Sequence, residues 1–301
     1  MIIGFIGTGS MGQPVAANLI SHGHKLVVHD ISPAAIAPLV AAGAVAGKSA
    51  RDVAANSDVV FLCLPSLDAL EAAATGPDGL CHGGRAKLCV NLSTAGPTFV
   101  KELAASLGKH GVDVLDSPIT GGSAGARDGK LSITVSGPGT QFQRVKPMLD
   151  CIAMHVFHVG EEAGQAQFMK LLNNMLSFAA WVASCEAFVL GAKAGLDPDA
   201  MVAVINTGTG RNSATTDKMP NNVLPRTFNY GARMAISYKD ISLCLEEAEK
   251  LGVPVWLAPV IRQVIGFAVS QDGDSNDVTT LIRHYEKWAG VEVVGAAGRK
   301  K

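Results

Sequence analysis

Charge is scarce in this chain. Asp, Glu, Lys and Arg make up only 17% of its 301 residues, and the net charge is −1. It has no long basic run, so the electrostatic footprint of a nucleic-acid binder is missing. The terminal Arg299-Lys300-Lys301 reads as a short solvated tail. Cysteine is sparse as well. Cys63, Cys81, Cys89, Cys151, Cys185 and Cys244 lie far apart, with no Cys-x-x-Cys pair and no His-Cys cluster at metal-ligand spacing. They read as core thiols, not as a disulfide framework. No apolar stretch reaches the length of a membrane span without polar interruption. Repeats at solenoid periods and low-complexity tracts are also missing. The chain opens in an apolar run with no basic leader region, which predicts a cytoplasmic protein with no membrane or nucleic-acid partner.

Apolar side chains, in contrast, are plentiful at 48%, and the length allows two domains with sizeable cores. The opening run Met1-Ile2-Ile3-Gly4-Phe5-Ile6 leads directly into Gly7-Thr8-Gly9-Ser10-Met11-Gly12. A strand, then Gly-x-Gly-x-x-Gly, then a helix is a place to lay a pyrophosphate. The first glycine permits the turn, the second admits the phosphates, and the third lets helix and strand pack closely. The helix N-terminus adds unpaired N–H groups and a partial positive charge. Pro14 suits the first helical turn. A second apolar strand over 25–29 ends at Asp30, where a carboxylate would take the ribose hydroxyls of a dinucleotide. A carboxylate there repels a 2′-phosphate, and no arginine follows until Arg51. The pattern predicts NAD over NADP.

Strands are expected over 2–6, 25–29, 59–64, 87–90, 112–115, 131–136 and 155–159, with helices between them, for example over 97–107 and 141–149. Such alternation is the mark of an α/β fold with a doubly wound, mostly parallel sheet. From Gly164 onward helix formers dominate. The expected organisation is a nucleotide-binding domain over 1–162, a long interdomain helix over 163–194 and an all-helical C-terminal domain over 195–301. The long helix is apolar on nearly every side, through Phe168, Met169, Leu171, Leu172, Met175, Leu176, Phe178, Trp181, Phe188 and Leu190. A helix apolar all round is expected to be buried, in the middle of the molecule or in a subunit interface.

Lys170 is the odd member of that helix, with Asn174 one turn later on the same face. Two readings fit. In one, a sheltered amine has its pKa lowered by burial and exchanges protons near neutrality. In the other, the lysine lays its stem along apolar surface with its head in water. A second polar element, Asp116-Ser117-Pro118-Ile119-Thr120-Gly121-Gly122, leaves the carboxyl end of an expected strand. Thr120, Gly121 and Gly122 offer a hydroxyl and bare backbone N–H groups, either a nest for a carboxylate or a ligand-free glycine loop. Leu64-Pro65 and Ser93-Thr94 follow strands too and should line the same cleft. Lys239-Asp240, taken alone, is the kind of dipeptide that forms a solvated surface pair.

Together these stretches resemble the β-hydroxyacid dehydrogenase family, over roughly residues 2 to 288. The resemblance rests on residues 7–14, Asp116-Ser117-Pro118-Ile119-Thr120-Gly121-Gly122, the stretch from Gly164 through Lys170 to Asn174, and Tyr238-Lys239-Asp240-Ile241. It implies a Rossmann-like domain, a long interdomain helix, and a homodimer or homotetramer whose helical domains pack together. It also implies an NAD-dependent oxidoreductase acting on a short-chain 3-hydroxy acid. By the same resemblance Lys170 is the catalytic acid/base and Asn174 orients the substrate or the lysine. Thr120, Gly121 and Gly122 hold the substrate carboxylate, while Leu64, Pro65, Thr94 and Lys239 face the cofactor. No metal is required, and the eight histidines include no His-Glu-x-x-His. Alternatives are an imine reductase of similar architecture, which usually lacks a lysine at this position, and a catalytically silent nucleotide-binding scaffold. Arg211, within Asn206-Thr207-Gly208-Thr209-Gly210-Arg211-Asn212-Ser213, either reaches a second polar end of the substrate or sits at a helix end or interface.

Overall fold

Among the described residues, short apolar runs, separated by helices except between β6 and β7, make nine strands: β1 (Ile2–Ile6), β2 (Lys25–His29), β3 (Val45–Ala46), β4 (Val59–Leu62), β5 (Leu88–Asn91), β6 (Asp113–Asp116), β7 (Ile119–Thr120), β8 (Leu131–Ser136) and β9 (Ala153–Gly160). The computed structural model describes residues 1–299. All nine strands join one sheet in the order β3-β2-β1-β4-β5-β6-β8-β7, with β9 paired to β8. Pairing is parallel from β3 through β6, and again between β8 and β9. β8 runs antiparallel to β6 and β7. The sequence-derived strands all exist, with ends displaced by a residue or two. The two-residue strands β3 and β7 are additional: two residues carry no readable alternation, and their partners, not their own pattern, define them.

Side chains alternate across the sheet and both faces are covered. Ile3 and Phe5 of β1 enter a core with Val28, Phe61 and Val90. Ile6 enters the opposite core with Val60, Leu62, Cys89 and Val114. Strands buried on both faces read as near-continuous apolar runs, which is why they were legible. Strand order reverses between β1 and β4, and such a switch point opens a crevice at the carboxyl ends of the strands.

The chain divides into two compact units, Met1–Lys170 and Leu171–Lys301, and the division falls inside the helix Gln165–Lys193. Among the described residues the second unit is helical, without strands. Its core gathers Trp181, Cys185 and Phe188 of the long helix with Met219, Ile241, Ile261 and Ile265. The Trp181 indole N–H donates to the Val278 carbonyl at 3.1 Å. Arg226 forks onto the buried Glu286 carboxylate at 2.5 and 3.0 Å, a bidentate pair, and the Val293 amide also donates to Glu286 Oε1 at 2.8 Å. The Arg299 guanidinium pairs with Asp197, while Lys300 and Lys301 of the expected tail lie outside the described residues.

The expectation for the long helix has two arms, burial in the middle of the molecule or in a subunit interface, and a single chain bears only on the first. Within the chain the helix is not buried all round: Leu176 is 66% and Leu190 73% exposed, with Met169 and Leu172 exposed beside them, while Leu171, Trp181, Cys185 and Phe188 are buried. Apolar composition on every side therefore conceals two faces, one packed in the core and one open. By length and composition this helix is also apolar enough to cross a membrane, although only a third of its most apolar stretch is buried.

Candidate active site

The fingerprint turn leaves β1 at Gly7, whose φ of +91° favours glycine. A Cβ at Gly7 would stand 2.3 Å from the Cys63 carbonyl oxygen, and one at Gly12 would stand 1.9 Å from the Gly7 carbonyl oxygen. Those two glycines close the turn against β4 and the helix Gly12–Ser21 against the strand. Gly9 differs, because a Cβ there meets nothing within 4 Å. Its side of the turn is open, as the approach of a pyrophosphate requires. The helix Gly12–Ser21 has no side-chain cap and no acidic residue in its first turn. Its start therefore offers N–H groups and positive potential. Ser10 is exposed and Met11 half-buried at that entrance.

Asp30 follows β2 and is tied back to the turn. Its carboxylate accepts from the Thr8 amide at 2.7 Å and from the Ser32 amide at 2.9 Å. A carboxylate has about four acceptor positions, so capacity remains for ribose hydroxyls. Leu64 and Pro65 leave β4, and the Leu64 amide donates to Ser93 Oγ at 2.8 Å, joining the exits of β4 and β5. Half-buried Thr94 lies at the same exit. The residues present fit a dinucleotide along this edge.

Sequence reasoning missed the bracket that mounts the long helix there. Gln167, fully buried, donates through Nε2 to Asp116 Oδ1 at 2.6 Å and to the Ser93 carbonyl at 2.9 Å. Its Oε1 accepts from the Ala95 and Gly96 amides at 2.9 and 3.1 Å, and its own amide donates to Asp116 Oδ2 at 2.9 Å. The Ala166 amide donates to Ser136 Oγ at 2.9 Å. The first turn of the helix is thus fastened to the ends of β5, β6 and β8. Burial pushes the Asp116 carboxyl up to about 7, against the lowering effect of its Gln167 hydrogen bonds. The available signal was a glutamine among apolar neighbours, with an aspartate at the end of a strand.

Lys170 follows one turn later. Its Nζ donates to Thr120 Oγ1 at 3.0 Å, and the side chain is half-buried. Thr120 is held in β7 opposite Ser132 of β8, so the hydroxyl sits on a ladder, not in the loop expected from sequence. Gly121 and Gly122 follow, exposed, with φ of +128° and +61°. A Cβ at Gly122 would meet nothing within 4 Å. Lysine, threonine hydroxyl and open glycine backbone therefore share the carboxyl edge with the fingerprint turn.

In the second unit, Asn174 and Lys239 converge on one carboxylate. The Asn174 amide donates to Asp240 Oδ2 at 2.7 Å, and Lys239 Nζ lies 3.3 Å from Asp240 Oδ1. Asp240 is only 4% exposed, which corrects the picture of a solvated Lys-Asp pair. It sits on the inner side of the helix Met234–Lys250, where it fixes the amide of Asn174. Arg211 is exposed in the turn ahead of a π-helical run, Ala214–Val223, whose first amides are received by Asn212.

Family models agree with this assembly. Residues 2–160 match the NAD binding domain of 6-phosphogluconate dehydrogenase, and residues 164–285 match the NAD-binding domain of NADP-dependent 3-hydroxyisobutyrate dehydrogenase. The chain is 33% identical over 294 residues to 2-(hydroxymethyl)glutarate dehydrogenase of Eubacterium barkeri, covering 97% of both. It is 33% identical to 3-hydroxyisobutyrate dehydrogenase of Pseudomonas aeruginosa, covering 90% of this chain and 93% of that one. The solved Mycobacterium tuberculosis 3-hydroxyisobutyrate dehydrogenase with L-serine superposes with a TM-score of 0.87 at 30% identity, covering 94% of this chain and 98% of that one. With its fingerprint turn, its Lys170–Thr120 pair and relatives along its whole length, the chain belongs to the β-hydroxyacid dehydrogenase family of nicotinamide-dependent oxidoreductases.

Proposed function

We propose that this enzyme interconverts a short 3-hydroxy acid and its semialdehyde, using NAD and Lys170. The hydrogen bond between Lys170 Nζ and Thr120 Oγ1, beside the open glycine backbone, carries the reading. The relatives' names point to substrates with a hydroxymethyl group on the carbon that bears the carboxylate. Thr120, Gly121 and Gly122 would receive that carboxylate through the threonine hydroxyl and backbone N–H groups. Neutral Lys170 would accept the hydroxyl proton as the substrate is oxidised, and ammonium Lys170 would return it to the forming alkoxide in reduction. When bound, the nicotinamide exchanges hydride with the carbinol carbon. Asn174, held by Asp240, would keep substrate or lysine aligned, and Lys239, Leu64, Pro65 and Thr94 would face the cofactor.

Preference for NAD follows from Asp30. A carboxylate close to a 2′-phosphate is repulsive, and its backbone partners fix it in place. A homodimer or homotetramer is favoured by the open face of the long helix, with Leu172, Leu176 and Leu190, because soluble monomers rarely leave so much contiguous apolar surface in water. The six unpaired thiols fit a cytoplasmic protein, and the net charge of −1 without a long basic run fits one that binds no nucleic acid.

The test is a panel of short 3-hydroxy acids and their 2-hydroxy isomers, each with NAD and NADP, read as formation of reduced nicotinamide. The 3-hydroxy acids should turn over with NAD as the better cofactor. Lys170→Ala should retain NAD binding and lose at least about a hundredfold in kcat. Near-normal turnover by Lys170→Ala would overturn the role of the lysine, and a clear NADP preference would remove that of Asp30.

A further inference from the structure

Cys81 and His82 are neighbours in the sequence with no second histidine nearby, and the fold brings one to them. Cys81 and His82 end a short 3-10 helix, Leu80–His82, on the way into β5. His110 lies in the turn between the helix Pro97–Gly108 and β6, its amide donating to the Leu107 carbonyl at 2.9 Å. β5 and β6 are parallel neighbours, with Leu88 opposite Asp113, so both approaches reach the sheet at the same, amino-terminal edge. There the donor atoms of Cys81, His82 and His110 all lie within 4.8 Å of one another. The two imidazoles stand edge to face, ring centres 5.5 Å apart.

We infer that Cys81, His82 and His110 form a zinc site, separate from the catalytic edge. Donors about 3.3–3.6 Å apart follow from Zn–S and Zn–N bonds of about 2.3 and 2.0–2.1 Å in a tetrahedron. The trio is within side-chain adjustment of that spacing. One soft sulfur and two imidazoles suit Zn²⁺, while hard cations such as Mg²⁺ and Ca²⁺ seek oxygen. The thiol lies almost buried at the base and both imidazoles are exposed at the rim, so an ion can enter from solvent and keep a water as fourth ligand. On binding, the thiol gives its proton to solvent and sulfur donates its lone pair to the metal. The ion would pin the 3-10 helix to the turn after helix Pro97–Gly108. Four-residue strands, about 13 Å long, stand between it and the cofactor edge.

The experiment uses untagged full-length protein, stripped with chelator and titrated with Co²⁺, then with competing Zn²⁺. One equivalent of Co²⁺ should give a thiolate-to-metal charge-transfer band and intense tetrahedral d–d bands, both abolished by stoichiometric Zn²⁺. Cys81→Ser should remove the charge-transfer band. His110→Ala, at an exposed position where folding is not at stake, should weaken binding at least tenfold. Dehydrogenase turnover of the stripped protein should be the same in wild type and both variants. Absence of the charge-transfer band, a weak octahedral spectrum, or a band indifferent to both substitutions would each overturn the site.

Discussion

Gln167→Met replaces the bracket's amide with an unbranched chain of similar size that makes no comparable hydrogen bonds. Four bonds disappear: two from the Ala95 and Gly96 amides, one to the Ser93 carbonyl and one to Asp116. All of these groups are buried, so water does not replace the amide. The three neutral bonds contribute about 1 kcal/mol each and the bond to the carboxylate about 1.5–3 kcal/mol. Shared partners make the losses non-additive, and a net destabilisation of about 3 kcal/mol or more is expected. That is a large part of a stability of about 5–15 kcal/mol. Urea unfolding should show a lower midpoint at unchanged slope, and amide exchange should accelerate at Ala95 and Gly96 first. Because Lys170 stands one turn along the same helix, kcat should fall more than the KM for NAD rises. A variant within 1 kcal/mol of wild type, with protected Ala95 and Gly96 amides, would refute the bracket as an anchor.

The two outer glycines of the fingerprint should behave oppositely to the middle one. Gly12→Ala puts a methyl 1.9 Å from a backbone oxygen and should destabilise the fold, read as a drop in Tm, whereas Gly9→Ala meets no protein atom, should keep its Tm, and should raise the KM for NAD by an order of magnitude or more. Asp116 should shape the acid side of the stability profile. Its folded pKa, about 7, is raised above the ordinary 3.8, so the folded state holds an extra proton between those values. The resulting stabilisation is complete below about pH 4 and is lost as pH rises through 7, amounting to about 4 kcal/mol for a shift of roughly three units. Urea midpoints across that range should decline in wild type and flatten in Asp116→Asn. Breaking the Asp240–Asn174 bond with Asn174→Ala, which leaves the Lys239–Asp240 pair in place, should lower kcat and leave the NAD KM nearly unchanged, which steady-state kinetics will read.

Much of this was legible because the physics is local. β1, the fingerprint, the following helix and Asp30 are written in consecutive residues, and strands buried on both faces announce themselves as apolar runs. What escaped depends on residues distant in sequence. Nothing near Asp240 foretells that Asn174 will meet it, and nothing near Cys81 points to His110. Gln167 reads as one polar residue in an apolar helix until Ser93, Ala95 and Asp116 surround it. The exposed face of the long helix was hidden for a different reason: uniform apolarity does not encode which side faces the core. β7 was too short to show a period, yet its pairing decides how Thr120 is presented.

That last pairing separates two tasks that adjacent residues perform. Thr120 is clamped by the β7–β8 ladder, whereas the glycines after it open into the short helix Gly122–Arg127, where Gly122, Ala124 and Arg127 face water. The lysine's partner therefore belongs to the rigid frame, and the neighbouring surface is free to be recut. Exposed positions such as Ala124 and Arg127 can change without disturbing the Lys170–Thr120 hydrogen bond, so on the proposed function a lineage of such enzymes would alter its substrate there while conserving its chemistry.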